Sequence, residues 1–175
     1  DQSGTPLVYL HNTTGFIVGR EPEEMGMIKH GAKMIQAVSN VSVPRITLMI
    51  GASFGAGHYA MSGWSYEPRF ILAWPNFQCG VMGGRQAGLV MRIVHEAKAK
   101  RQGTPLDREE LDALEAKVIE LYDSNASGYY HTARMWNDGM IDPRDSRLAL
   151  GLLLTVCDEA GRRSLNPNSF GVARF

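Results

Sequence analysis

The sequence Ile46-Thr-Leu-Met-Ile-Gly-Ala-Ser-Phe-Gly-Ala-Gly-His-Tyr-Ala-Met61 carries the strongest structural signal in the chain. Its first five residues are almost continuously apolar and predict a buried strand. Small residues follow and predict a turn into a helix, namely Gly51, Gly55, Ala56 and Gly57. Because the first amides of a helix have no partner within it, we expect this turn to present N–H groups to negative charge.

The chemistry that this turn favours is catalysis by main-chain amides, as in an oxyanion hole, because it holds no convincing nucleophile. An alternative is that the glycines serve only close packing of the helix on its strand. A hydrolase hypothesis would pair Ser53 with His58. However, the segment 51–55 only partly matches a nucleophile elbow, and no later Asp-then-His order completes a triad.

Composition narrows the class of protein. The 175 residues are 44% hydrophobic and 21% charged, which is typical of one globular domain. The 18 basic and 18 acidic residues balance, so no nucleic-acid partner is indicated, and the apolar runs are too short for a membrane partner. Cys79 and Cys157 have apolar neighbours and predict buried thiols in a reducing compartment. The histidines lack metal-ligand spacing, so no metal site is predicted.

The order of patterns predicts an α/β protein with a parallel β-loop-α-β unit in its first 50 residues. The predicted elements of this unit are a strand at 7–10, a loop at 11–19, a helix from 22 to before Pro44, and a strand at 46–50. Further along, the predicted elements are strands at 70–74 and 78–82, a charged helical excursion at about 96–123, helices at 125–137 and 144–159, and a tail from 162 to 175. Gly139 is predicted as the C′ glycine of helix 125–137.

Six motifs in one order resemble the carboxyltransferase subunit of biotin-dependent acyl-CoA carboxylases. They are Thr14-Gly-Phe-Ile-Val-Gly19, Lys29-His-Gly-Ala-Lys33, Ser53-Phe-Gly-Ala-Gly-His-Tyr59, Ala73-Trp-Pro-Asn76, Val81-Met-Gly-Gly84 and Thr132-Ala-Arg-Met-Trp-Asn-Asp-Gly-Met-Ile-Asp-Pro143. The resemblance covers nearly the whole chain and concerns the second of that subunit's two crotonase-like domains. The Phe-Gly-Ala-Gly wording and Tyr129-Tyr-x-Thr-Ala-Arg134 are most similar to the methylcrotonyl-CoA and geranyl-CoA branch.

The resemblance implies a crotonase-like fold of repeated ββα units, with residues 1–175 forming the biotin-side, C-terminal carboxyltransferase domain. It implies an N-terminal carboxyltransferase domain that binds the acyl-CoA, a biotin carboxyl carrier and biotin carboxylase subunit, and a homo-oligomer. The active site would lie between an N domain of one subunit and a C domain of another, so the domain alone should be inactive. The cofactor is biotin, carried by a partner, without a metal here. The implied location is the bacterial cytoplasm or the mitochondrial matrix.

By position, the resemblance also implies site residues. The amides of Ala56 and Gly57 would stabilise the ureido oxyanion as carboxybiotin releases its carboxylate, and the biotin anion would take the proton of the substrate. The implied biotin-binding residues are Phe16, Ile17, Val18, Gly19, Gly55, Gly83 and Gly84. His58 and Tyr59 would shape the acyl end of the pocket, with ordinary helix packing as the alternative.

Two other hypotheses remain at this point. A free-standing crotonase-fold hydratase, isomerase or decarboxylase would act on an acyl-CoA by itself. It would need a positioned carboxylate, yet no Asp or Glu occurs between Glu24 and Glu67. A non-enzymatic scaffold would instead assemble oligomers through its apolar helices.

Overall fold

A computed structural model describes residues 1–105, 107–165 and 171 of the chain. The described strands are β1 Leu7–Thr13, β2 Arg45–Phe54, β3 Phe70–Ala73, β4 Gln78–Gly80 and β5 Gly139–Met140. The described helices are α1 Arg20–Glu24, α2 Met27–Asn40, α3 Gly55–Ala60, α4 Gly84–Gln102, α5 Arg108–Ala126, α6 Gly128–Thr132 and α7 Ser146–Arg162. The predicted α/β class is therefore confirmed.

Strand β2 is the centre of a parallel sheet with the order β1-β2-β3-β5. Strand β1 pairs along one edge of β2. On the other edge, β3 pairs with Ile46–Met49 and β4 with Ala52–Phe54. Because β4 takes over where β3 ends, β2 runs to Phe54 rather than stopping at Ile50 as the glycine pattern predicted.

The best-defined core lies where β2, β3 and β4 meet. Its residues are Met49, Ile71, Ala73, Phe77 and Cys79, each buried. This mixture of strand and turn residues follows from the parallel order, since side chains on the same face of neighbouring strands share one environment. Cys79 and Cys157 are both buried and not disulfide-bonded, as predicted from their neighbours.

The prediction of one continuous helix from residue 22 to before Pro44 is wrong, because the chain forms two separate helices there, α1 and α2. Gly26 has a φ of +89° and is the left-handed N-cap of α2. Such a conformation favours glycine and interrupts a right-handed helix. The break separates α1, which follows the loop, from α2, which contacts α3.

The helix predicted at 125–137 is also wrong, since α6 has only five residues. Met135 adopts a left-handed φ of +57°, which ends the helical path. Gly139, predicted as a C′ glycine, instead begins β5, which pairs with Leu72 and Ala73 of β3. Gly139 therefore begins a strand at the position where the sequence predicted only the end of a helix.

The charged region predicted as an excursion at about 96–123 includes the C-terminal part of α4 and most of α5. These two helices extend beyond the predicted bounds on both sides. Gly103, at φ +64°, ends α4, and Asp107 caps α5 by accepting from the amides of Glu109 and Glu110. Helix α7 begins at Ser146 and ends at Arg162. The predicted tail lies largely outside the described residues. In the described part of the chain, no helix has the length and hydropathy required to span a membrane.

Candidate functional site

The N-terminus of α3 follows directly from the central strand. Phe54 ends β2 and occupies the N-cap position, and its side chain makes no capping bond. Ala56 and Gly57 are the second and third helical residues, so helix geometry leaves their amides without an acceptor inside the helix. Ala56 is exposed whereas Gly57 is buried. The turn thus presents main-chain donors at the C-terminal end of β2, where α/β folds place ligands.

Gly57 brings α3 against the loop that follows β1. A Cβ at this position would lie 2.9 Å from the Cα of Gly15 and 3.3 Å from Cγ2 of Thr13. Only glycine allows this approach without a shift of the backbone. The loop at 14–19 and the α3 turn, which the sequence predicted as one site, are therefore neighbours in the structure.

The four predicted biotin-approach residues continue from that loop. Phe16 is half-buried and packs on Gly31 of α2, whereas the side chains of Ile17 and Val18 are 66% and 86% exposed. Phe16, Ile17 and Val18 line a cavity of about 310 Å³ together with residues of α1 and α2. Gly19 is the N-cap of α1. This apolar surface begins one residue from the Gly15–Gly57 contact.

The second glycine turn, at Gly83 and Gly84, differs from the first because a side chain of the protein accepts from one of its amides. The amide of Gly84 donates to Oδ1 of Asp123 at 3.2 Å, so an internal carboxylate already holds it. Gly83 is the N-cap of α4. The turn connects to α3 through Val81, whose carbonyl oxygen would lie 3.1 Å from a Cβ at Gly55. Gly84 therefore brings the start of α4 against α5, and a Cβ at this position would lie 2.8 Å from the Ile119 carbonyl oxygen.

A second cavity, of about 410 Å³, lies beside this connection. Its lining is largely apolar and aromatic and includes Val81, Met82, Tyr130, His131 and Trp136. The ring of His131 is fixed there by a 3.0 Å hydrogen bond to the Cys79 carbonyl.

A buried chain of polar side chains lies beneath α3. Ser53 Oγ lies 2.8 Å from Nδ1 of His11 and 2.9 Å from Nδ1 of His58. The other ring nitrogen of His11, Nε2, bonds the carbonyl of Met61, the C-cap residue of α3. Cys79 Sγ lies 3.7 Å from the same nitrogen of His58.

This environment keeps both imidazoles neutral. Burial, with smaller contributions from His11 and His131, lowers the pKa of His58 to about 4. Burial also lowers the pKa of His11, although its bond to the Met61 carbonyl opposes the shift. The pKa of Cys79 is raised by burial to about 11, so its thiol is unreactive.

The hydrolase hypothesis fails on accessibility. Ser53 and His58 are indeed within hydrogen-bond distance, but Ser53 is 0% exposed. A nucleophilic hydroxyl must reach its substrate, and this one lies entirely inside the protein. Within the described ranges, no cluster of three or more His, Cys, Asp or Glu side chains is arranged to hold a metal ion.

Sequence reasoning missed two members of this site. His11 was predicted only as part of a loop, and it lies on β1, 42 residues from its partner Ser53. Asp123, the acceptor for the Gly84 amide, lies 39 residues further along the chain than its donor. Neither pairing leaves a local sequence signal, because each depends on how distant elements pack.

The lowered pKa of His58 predicts acid-sensitive stability. Between pH 6.5 and 4 the unfolded chain protonates this histidine and the folded chain does not, so stability falls as the pH falls through this window. From pH 7 to pH 5 the free energy of unfolding should fall by about 2 kcal/mol less in His58→Asn than in the wild type, because the variant has no imidazole to protonate. Urea unfolding at the two pH values measures the difference. The wild-type protein measured at the same two pH values is the reference, and an unchanged pH dependence in His58→Asn would contradict the prediction.

The sheet and its strand-to-helix turn define a crotonase-like α/β domain with main-chain donors at its candidate site. Comparison with known proteins then identifies the family. The family model described as "Carboxyl transferase domain" matches residues 1–170. The chain belongs to the carboxyl transferase domain family.

One relative in this family, from Mycobacterium tuberculosis, is named as the beta1 subunit of a biotin-dependent 3-methylcrotonyl-coenzyme A carboxylase. The methylcrotonoyl-CoA carboxylase beta chain of Arabidopsis thaliana is 49% identical over 174 residues, covering 99% of this chain and 29% of the relative. The β subunit of P. aeruginosa geranyl-CoA carboxylase has 56% identity and a TM-score of 0.89, covering 99% of this chain and 32% of that one. The transcarboxylase 12S structure, described as a hexamer, has 32% identity and a TM-score of 0.73, covering 97% of this chain and 30% of that one. The chain thus spans about a third of these proteins.

Proposed function

We propose that this domain is the biotin-side half of a carboxyltransferase that moves a carboxylate from carboxybiotin to an acyl-CoA. The observation that carries the proposal is the α3 turn, where the exposed Ala56 and the adjacent Gly57 present amides without a side-chain cap. Donors of this kind stabilise negative charge that develops on an oxygen, and they need no proton transfer. The family match over residues 1–170 supports the same reaction.

The residues around the turn fit a ureido ring with an apolar tail. Carboxybiotin supplies the carboxylate when it is bound, and the amides of Ala56 and Gly57 would donate to its ring oxygen. The exposed Ile17 and Val18, together with Phe16, provide apolar surface for the approach. Gly19, Gly55, Gly83 and Gly84 would support this pocket through their backbone positions.

The acyl-CoA is proposed to be methylcrotonyl-CoA-like or geranyl-CoA-like, from the names of the similar relatives. Tyr59 is 46% exposed beside the proposed donors and could contact the acyl end. The ring of His58, predicted for the same surface, is turned inward to Ser53. The remaining substrate contacts would come from an N-terminal carboxyltransferase domain outside this chain.

The proposed partners follow from the reaction. A biotin carboxyl carrier with its biotin carboxylase must deliver the carboxylate, and a homo-oligomer would bring the two kinds of carboxyltransferase domain together. The similar transcarboxylase 12S is described as a hexamer, which supports the oligomer. The proposed location is the bacterial cytoplasm, or the mitochondrial matrix in a eukaryote.

The test is carboxyl transfer by the complete β subunit assembled with its biotin-carrying subunit. We expect labelled bicarbonate to enter methylcrotonyl-CoA or geranyl-CoA only when ATP and the biotinylated subunit are present. Incorporation should stop when avidin sequesters the biotin. Conversion of an acyl-CoA without the biotinylated subunit would instead support a free-standing hydratase, isomerase or decarboxylase.

A further inference from the structure

The hydrogen bonds that join His58, Ser53 and His11 beneath α3 have a defined donor and acceptor at each step. A carbonyl oxygen can only accept, so Nε2 of His11 carries the proton that bonds Met61. Since the imidazole is neutral, its Nδ1 accepts, and the Ser53 hydroxyl must donate to it. Ser53 Oγ then accepts from Nδ1–H of His58. The order is therefore His58 to Ser53 to His11 to the Met61 carbonyl.

These bonds hold α3 at both of its ends. Ser53 directly precedes the N-cap Phe54, and Met61 is the C-cap. His58 belongs to α3 itself, and His11 connects this series of hydrogen bonds to β1. A helix of six residues has little stability of its own, so its orientation depends on such tertiary contacts.

We propose that His58 is a positioning residue for the amides of Ala56 and Gly57, acting through Ser53 and His11. This inference rests on the proposed function, because it assigns the chain of hydrogen bonds to the orientation of the oxyanion donors. Donors must lie within about 2.7–3.1 Å of the developing charge to stabilise it. A rotation of α3 would move the amides out of that range while leaving the acyl-CoA contacts of the other domain intact.

The test uses the complete carboxylase with variants of His58. His58→Leu removes the first donor, and we expect kcat to fall about tenfold to a hundredfold with the KM for acyl-CoA within about threefold. His58→Asn places an amide N–H near the position of Nδ1 and should keep kcat within about threefold of wild type. His58→Gln carries its amide further out, near Nε2, and should not rescue. Rescue by asparagine alone separates a directed hydrogen bond from simple packing.

Ser53 allows a matched control in case His58→Leu does not assemble. Ser53 and Ser62 are both 0% exposed, but Oγ of Ser62 has no hydrogen-bond partner among the described residues. We expect Ser53→Ala to lower kcat about tenfold or more and Ser62→Ala to leave it nearly unchanged. Equal kcat values for the two alanine variants, in assembled enzyme of equal thermal stability, would overturn the proposal.

The outcome also distinguishes this inference from the proposed function. If removal of the Ala56 amide lowers kcat while Ser53→Ala and His58→Leu do not, only the positioning role is wrong. If removal of that amide changes nothing, the oxyanion role fails first and the positioning role fails with it.

Discussion

Ala56→Pro is expected to lower kcat for carboxyl transfer about 10²- to 10³-fold in the complete enzyme. Proline lacks an N–H, so the substitution removes one proposed oxyanion donor. Position 56 is the second residue of α3, and the first turn of a helix tolerates proline. Because Ala56 is exposed, the change should not disturb the core. The KM for the acyl-CoA should stay within about threefold.

The matched control is Ala56→Ser, which changes the side chain and keeps the amide. It should retain kcat within about threefold, while the oligomeric state and melting temperature of both variants match the wild type. Steady-state kinetics with saturating ATP and bicarbonate separate kcat from KM. Equal activity of the proline and serine variants would show that the Ala56 amide does not act in the reaction.

Phe77→Ala should have the largest effect on stability, a loss of about 3–5 kcal/mol in the free energy of unfolding. The Phe77 side chain is 1% exposed within the core cluster. Its surroundings are closely packed, since a Cβ at Gly128 would lie 2.7 Å from Cδ1 of Phe77. The ring therefore fills its space in the core, and its removal leaves a cavity there. Urea unfolding at pH 7 measures the change.

Phe70→Ala is the control for loss of an aromatic ring. Phe70 begins β3 and is only half-buried, so its removal should cost about 1–2 kcal/mol. Similar losses for the two variants would mean that the Phe77 cluster is not the best-packed part of the core.

Several elements were predictable because their signal is local. The apolar run that begins at Ile46 specifies a buried strand, and the small residues after it favour a turn into a helix, although the strand continues to Phe54 before the turn. The resemblance of six ordered motifs also pointed to the family, and the match over residues 1–170 confirms it. The helix predicted at 125–137 failed because the chain leaves the helical path at Ser127, between α5 and α6, and again at Met135, whose φ is left-handed.

The sequence by itself determined the α/β class and the central strand-turn-helix, because periodicity and glycine placement act over neighbouring residues. The family resemblance, rather than these local patterns, implied the proposed donors at Ala56 and Gly57. Only the tertiary structure decided which buried side chains form hydrogen bonds beneath the helix that carries those donors. The parallel pairing of β1 with β2 brings His11 and Ser53 together across 42 residues. Packing of the 14–19 loop on Gly57 likewise joins two segments far apart in sequence. Contacts of this kind arise from the fold as a whole, so no local pattern encodes them.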